Sequence, residues 1–155
     1  MPGFEFNEMQ KKSNGERNIV GFTCGAFDFL HPGHLFFLDE ASKKCDVLII
    51  GLHTDPSIER PKKNKPTQTS LERYLQLSIL PFEKRIIPYD TENDLINIFS
   101  TFKIDFRYIG CDYKNKSFTG KSICIRLGIK ISYINRFHSW SSSSFKERLV
   151  HNDNN

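Results

Sequence analysis

Residues Ile19–Leu30 form a largely apolar run that breaks directly into His31-Pro32-Gly33-His34. The unbroken, β-branched part, Ile19–Ala26, reads as a strand buried on both faces of a parallel sheet. The His-Pro-Gly-His segment reads as a helix start. Pro32 is preset for a first helical turn. Gly33 has no side chain to hold a ligand away from the backbone. Two imidazoles three residues apart share one helical face. A helix start at a strand end offers unpaired N–H groups and the positive end of the helix dipole, a natural seat for phosphate. Taken alone, the histidine pair has two other readings. It can be a pair of surface histidines, or a zinc site. The second is poorly served, because no Cys or carboxylate stands in register to complete the ligand set.

Downstream, strands and helices alternate. The pattern predicts a helix over Pro32–Lys44 with Leu35, Leu38 and Ala41 inward, and a second buried strand over Val47–His53. A polar Lys/Pro-rich loop, Thr54–Gln68, leads to a helix over Thr69–Leu80 with Leu71, Leu75 and either Leu77 or Ser78 inward. Then come a short strand Arg85–Pro88, a helix Thr91–Phe102, a strand Arg107–Cys111, a helix Gly120–Leu127, a strand Lys130–Asn135 and a closing helix Ser142–Val150. Such alternation implies an α/β fold, a Rossmann-like parallel sheet with helices on both faces. Residues 1–17 read as a flexible extension, 18–150 as one domain and 151–155 as a polar tail.

A chain of 155 residues suits one domain with a full core. The formal net charge of +4 fits a protein that handles small phosphorylated molecules. Its lysines cluster in one loop and form no stripe, so nucleic acid is not expected as a partner. No apolar run of about 18 residues predicts a membrane span, and the polar start has no signal-peptide core. The four cysteines lack CxxC spacing, as expected of reduced thiols in a cytoplasmic protein.

Ligands of open parallel sheets bind beyond the carboxyl ends of the strands. Four segments fall there. They are Gly25–His34, the basic loop of Arg60, Lys62, Lys63 and Lys65, Gly110-Cys111-Asp112-Tyr113, and Arg136–Ser143. Arg136 can grip phosphate bidentately. Ser141 and Ser142 can offer hydroxyl and N–H groups at a helix start, or simply cap that helix. Asp28 and Asp112 can bind ligand or be turn residues. The loop lysines can close over a charged site or be solvated.

Gly25-Ala26-Phe27-Asp28-Phe29-Leu30-His31-Pro32-Gly33-His34 resembles the G-x-FD-xx-H-x-GH signature of the cytidylyltransferase-like nucleotidyltransferases. Leu71-Glu72-Arg73, Tyr108–Tyr113 and Arg136 with Ser141-Ser142-Ser143 resemble three further family segments, in the same order. The resemblance runs from about Ile19 to Leu149. It is strongest to glycerol-3-phosphate cytidylyltransferases and to the adenylyltransferase domain of bacterial heptose synthesis. It implies an enzyme that couples CTP to glycerol 3-phosphate or a similar phosphorylated alcohol, releasing pyrophosphate. Its alternatives are ATP with a sugar phosphate, or a nucleotide-binding module without catalysis. It implies catalytic roles for His31, His34, Lys62 and Arg136. It implies nucleotide contacts from Gly25, Ala26, Phe27, Asp28, Gly33, Asp112, Ser141 and Ser142, and acceptor contacts from Lys63 and Arg73. It also implies Mg²⁺ carried on the phosphates without a protein metal site, and a homodimer. Phe36 and Phe37 are adjacent and cannot share one face, so one of them suits either a subunit contact or dense packing against a second helix.

This chain departs from the family pattern where Phe137-His138-Ser139 replaces Thr-Glu-Gly, where Ala26 stands at a position often held by Thr, and where the last hydroxyl cluster is all serine. The stretch Gly110–Lys121 is similar to the heptose-type enzymes.

Overall fold

Five all-parallel strands lie in the order β3-β2-β1-β4-β5 in the computed structural model, which describes residues 11–136 and 138–152. They are β1 Val20–Gly25, β2 Val47–His53, β3 Lys84–Tyr89, β4 Phe106–Gly110 and β5 Lys130–Ile134. The helices are α1 Pro32–Ser42, α2 Ser70–Ser78, α3 Glu92–Thr101, α4 Lys121–Arg126 and α5 Ser142–Asn152. This is the Rossmann-like α/β architecture expected from the alternation.

Every residue of β2 is buried, as a continuous apolar strand in a sheet covered on both sides should be. β1 pairs with β2 from Val20↔Val47 to Gly25↔Leu52, and with β4 on its other edge at Gly21↔Phe106. The chain therefore winds outward from β1 in one direction, returns, and winds outward in the other. A crevice opens where the direction reverses, at the carboxyl ends of β1 and β4. One core cluster, with Leu38, Ala41, Leu48, Ile50 and Leu77, packs α1 and α2 on one face. The other, with Phe22, Leu95, Phe99, Ile123 and Cys124, packs α3 and α4 on the opposite face.

Local signals explain the helix starts. Thr69 and Thr91 cap α2 and α3, each in a capping box closed by Glu72 or Asp94. The inward face of α2 agrees with the expected one at Leu77 and differs elsewhere. Leu71 and Leu75 are exposed, while Arg73 and Leu77 point inward. Apolar periodicity misreads this helix because a buried arginine fixes its rotation. Leu35 likewise lies half-exposed, with Leu38 and Ala41 carrying the packing of α1.

Residues 11–17 make several defined contacts. Lys11 bridges Arg17, and the Lys12 amide donates to the Glu16 carbonyl at 2.6 Å. Arg17 binds Asp105 at 2.9 Å and Lys12 binds Asp46 at 3.3 Å. Residues 1–10 of the expected extension lie outside the described residues. So do 153–155 of the expected tail, and α5 itself runs on to Asn152. No helix among the described residues is long and apolar enough to cross a membrane.

Candidate active site

His31 is the N-cap of α1, and its side chain does the capping. Its Nδ1 accepts from the Gly33 amide at 3.1 Å and from the His34 amide at 3.4 Å. The Nδ1 of His34 accepts in return from the His31 amide at 3.4 Å. The two rings stack with centroids 3.8 Å apart. Because each Nδ1 acts as an acceptor, the neutral form of each ring carries its proton on Nε2. The reciprocal cap thus selects the tautomer and leaves two Nε2–H donors side by side.

Burial, followed by the neighbouring His31, pulls the His34 pKa down to about 3. Burial, then the nearby His138 and Arg136 charges, lowers that of His31. Both are therefore neutral donors near pH 7. Gly33 fits between the rings. A Cβ there would come within 2.7 Å of His138 Cε1 and 2.9 Å of His31 Cε1.

The loop that delivers this pair is strained and firmly held. Phe27 and Phe29 both have φ near 51°, in the left-handed region that aromatic residues avoid. Between them, the nearly buried Asp28 accepts the Thr67 and Gln68 amides, both at 2.9 Å, and the Lys146 ammonium at 2.7 Å. Burial pushes the Asp28 carboxyl up, but Lys146 and the two amides outweigh it and hold the pKa below its ordinary value. The Phe29 amide donates to Gln68 Oε1 at 2.7 Å, and Ser142 Oγ donates to the Asp28 carbonyl at 2.8 Å. One aspartate thus ties the histidine loop to the end of the basic loop and to α5.

A cavity of about 610 Å³ opens over the strand ends, within the range of small-molecule sites. Its wall includes Gly25, Ala26, Phe27, Asp28, His31, Gly33, His34, Lys63, Asp112, Arg136, Ser141 and Ser142. Ser141 caps α5, its Oγ accepting the Ser144 amide at 3.1 Å. Arg136 donates to the Trp140 carbonyl at 2.6 Å, which shapes the turn into α5. The two adjacent phenylalanines of α1 face different ways, and Phe36 stays 43% exposed. Phe36 lines the cavity mouth and stacks on Trp140 at 6.0 Å, while Phe37 packs against the core.

Two expected site residues lie elsewhere. Lys62 and Lys63 are both exposed, and of the two only Lys63 lines the cavity. Arg73 is only 2% exposed and does not reach the cavity. Its guanidinium donates to the carbonyls of Ala26 and His53 at 2.8 Å and of Thr54 at 2.6 Å. With its donors spent on backbone, Arg73 positions the ends of β1 and β2 and is not an acceptor contact.

Sequence spacing does not single out Lys146, and it marks His138 only as a departure from a pattern. Arg107 carries a signal that pattern reading does not use, a charged residue in an otherwise apolar strand. Among the described residues no cluster of His, Cys, Asp or Glu is arranged to cage a metal ion. Asp28, the carboxylate nearest the histidines in sequence, already accepts three donors.

The cytidylyltransferase-like family model matches residues 22–140. The bifunctional protein HldE of Caulobacter sp. (strain K31) is 36% identical over 113 residues, covering 72% of this chain and 23% of that protein. The protein of the same name from Campylobacter jejuni is 32% identical over 139 residues, covering 89% and 29%. The chain thus spans less than a third of the length of these curated relatives. Among solved structures, the lipopolysaccharide core biosynthesis protein of Thermoplasma volcanium superposes with a TM-score of 0.61 at 27% identity, over 80% of this chain and 99% of that one. The pantoate-beta-alanine ligase of Francisella tularensis, at 14% identity, covers 91% of this chain and 69% of its own and shares the fold with a TM-score of 0.58. The paired imidazoles, the strand-end cavity and the match across most of the chain converge: this protein belongs to the cytidylyltransferase-like family of nucleotidyltransferases.

Proposed function

We propose that this chain transfers an adenylyl group from ATP to a small sugar phosphate. An oxygen of the acceptor phosphate attacks the α-phosphorus. The α–β bridging bond breaks, and its electron pair leaves with pyrophosphate. This chemistry needs alignment and charge neutralisation, and no side-chain nucleophile. The observation that carries the reading is the reciprocally capped histidine pair, whose two Nε2–H donors are preorganised for phosphate oxygens.

The helix starts at His31 and Ser141 favour the negative charge of the triphosphate. Arg136 and Lys63 add cationic groups to the wall. Mg²⁺ is expected on the phosphate oxygens and water, since Asp28 is spent on its own partners. When bound, it would offset phosphate charge.

ATP is preferred over the CTP and glycerol 3-phosphate expected first. Its support is the similarity to the HldE proteins and the heptose-type character of Gly110–Lys121. Cytidylyl transfer stays the second reading on the strength of the Gly25–His34 signature.

The test is pyrophosphate release with Mg²⁺ from ATP or CTP across acceptors that include heptose 1-phosphate and glycerol 3-phosphate, with His34→Ala as the blank. Release with ATP and a sugar phosphate is expected. Release only with CTP would move the assignment to the second reading. Nucleotide binding with no release on any acceptor would refute both.

A further inference from the structure

Besides Arg136 and Lys63, the cavity wall includes the guanidinium of Arg107. Arg107 of β4 is 3% exposed, yet it forms no ion pair among the described residues. Its Nη1 donates to the Thr119 carbonyl at 2.5 Å, and Nη2 reaches Cys24 Sγ at 3.8 Å. The guanidinium lies 5.1 Å from the Phe99 ring centroid and 4.7 Å from that of Phe118. Aromatic faces attract a cation, but a buried cation without a counter-charge is still costly. The chain is fitted closely around it. Gly120 has φ +80°, and a Cβ there would come within 3.0 Å of Arg107 Nη1. Arg107 nonetheless lines the cavity.

Its direction matters. Tyr108, its neighbour on β4, belongs to the core cluster shared with α1, whereas Arg107 packs on Phe99 of α3. Successive strand residues face opposite sides of a sheet. The histidine pair stands at the start of α1, on the Tyr108 side, so Arg107 approaches the strand-end cavity from the opposite face. A displacement at phosphorus holds the attacking and leaving oxygens roughly in line, on opposite sides. If pyrophosphate leaves toward the helix starts, the attacking group enters from the Arg107 side.

We propose that Arg107 binds the phosphomonoester of the acceptor and aims one of its oxygens at the α-phosphorus. This rests on the nucleotidyl transfer proposed above. A guanidinium can hold two oxygens of a phosphate and leave the third to attack. It also supplies the charge that lets two phosphates approach. Lys63 and Arg60 line the same cavity, but Arg60 is already bound to Glu92 and Thr119.

The experiment titrates inorganic phosphate, then glycerol 3-phosphate, into the 155-residue chain saturated with α,β-methylene-ATP, a non-transferring analogue, for the wild type, Arg107→Met and Arg107→Lys. Phosphate binding is expected to weaken by about tenfold or more in Arg107→Met and to recover in part in Arg107→Lys, as for loss and partial return of a bidentate anion contact. The analogue's own Kd should stay within about twofold, since Arg107 faces away from the helix starts. Equal phosphate affinity in all three proteins would overturn the proposal, as would no phosphate binding to the wild type. A parallel loss of analogue affinity would place Arg107 in the nucleotide site and overturn it as well. If the wild type binds neither this analogue nor α,β-methylene-CTP, the nucleotidyl reading itself has failed and the acceptor role falls with it; if it binds only the CTP analogue, the titration is run with that analogue. Should Arg107→Met not fold, the wild type alone decides. Phosphate must slow iodoacetamide alkylation of Cys24, which lines the cavity beside Arg107, and an unchanged rate would overturn the proposal.

Discussion

Replacing Asp28 by Asn should loosen the joint on which the site is assembled. The carboxylate accepts three donors, the Thr67 and Gln68 amides at 2.9 Å and Lys146 at 2.7 Å. An Asn side chain keeps one carbonyl acceptor and turns an NH₂ toward the other donor. One charge-assisted bond is lost, the other becomes neutral, and the ion pair disappears. Bonds to a charged group contribute about 1.5–3 kcal/mol each, and the partly exposed pair with Lys146 adds about 1 kcal/mol or less. The expected loss is therefore about 3 kcal/mol. The single tryptophan, Trp140, precedes α5 and serves as the reporter. Urea unfolding followed by its fluorescence and by far-UV circular dichroism should show a lower midpoint for Asp28→Asn. The pH dependence has a definite sign. Asp28 has a folded-state pKa below 3.8, so its contribution is complete above the unfolded value and is lost as pH falls through the folded one. The gap between wild type and variant should close in acid. A variant within about 0.5 kcal/mol of wild type at pH 7 would mean that Asp28 joins nothing that matters to stability.

His34→Ala should cut turnover by roughly 10²-fold, as for loss of a preorganised donor, while the lost half of the capping box costs only about 1 kcal/mol on denaturation. Since burial holds both histidines below their ordinary pKa, the unfolded chain binds more protons below about pH 6.5, and stability should fall as pH drops from there toward the folded value of about 3 for His34. A flat stability profile between pH 6.5 and 4.5 would contradict the neutral pair. Arg73→Leu, which strands at least three backbone carbonyls, should lower stability by about 3–5 kcal/mol, whereas Leu71→Ser and Leu75→Ser on the exposed side of the same helix should each change it by about 0.5 kcal/mol or less in thermal melts. Gly33→Ala should leave the melting temperature within a few degrees yet reduce turnover about tenfold, because the new methyl displaces the His31 ring; unchanged turnover would show that the ring's position is not critical.

The strand-by-strand order is legible in the sequence because each element carries its own pattern. β2 is apolar throughout, and Thr69 and Thr91 announce the helices they cap. The cavity is legible for a related reason, since the chemistry sits at strand ends and these are visible as abrupt changes of character. The features that sequence patterns miss involve residues far apart in the chain. Asp28 and Lys146 meet across 118 positions, and no local pattern records that pairing. Leu71 and Leu75 mislead because apolar periodicity assumes that the inward face is apolar. In α2 that face is set by a guanidinium whose partners are backbone carbonyls, to which sequence patterns are blind. The left-handed Phe27 and Phe29 are hidden for a similar reason, since only the tertiary contacts around Asp28 hold aromatic residues there.

The pairing of β1 with β2 on one edge and β4 on the other bears on how the chain leaves the ribosome. Synthesis completes β1, α1, β2, α2 and β3 before β4 exists. The outer edge of that nascent sheet is β3, where Lys84, Arg85 and Pro88 discourage further pairing. Its other edge is β1, Val-Gly-Phe-Thr-Cys-Gly, with no charge or proline to protect it. Until Phe106–Gly110 emerges and docks, that strand is open to any other nascent chain. Translation across the α3 segment is therefore the interval of greatest exposure, and chains that stop short of β4 should be the ones that aggregate.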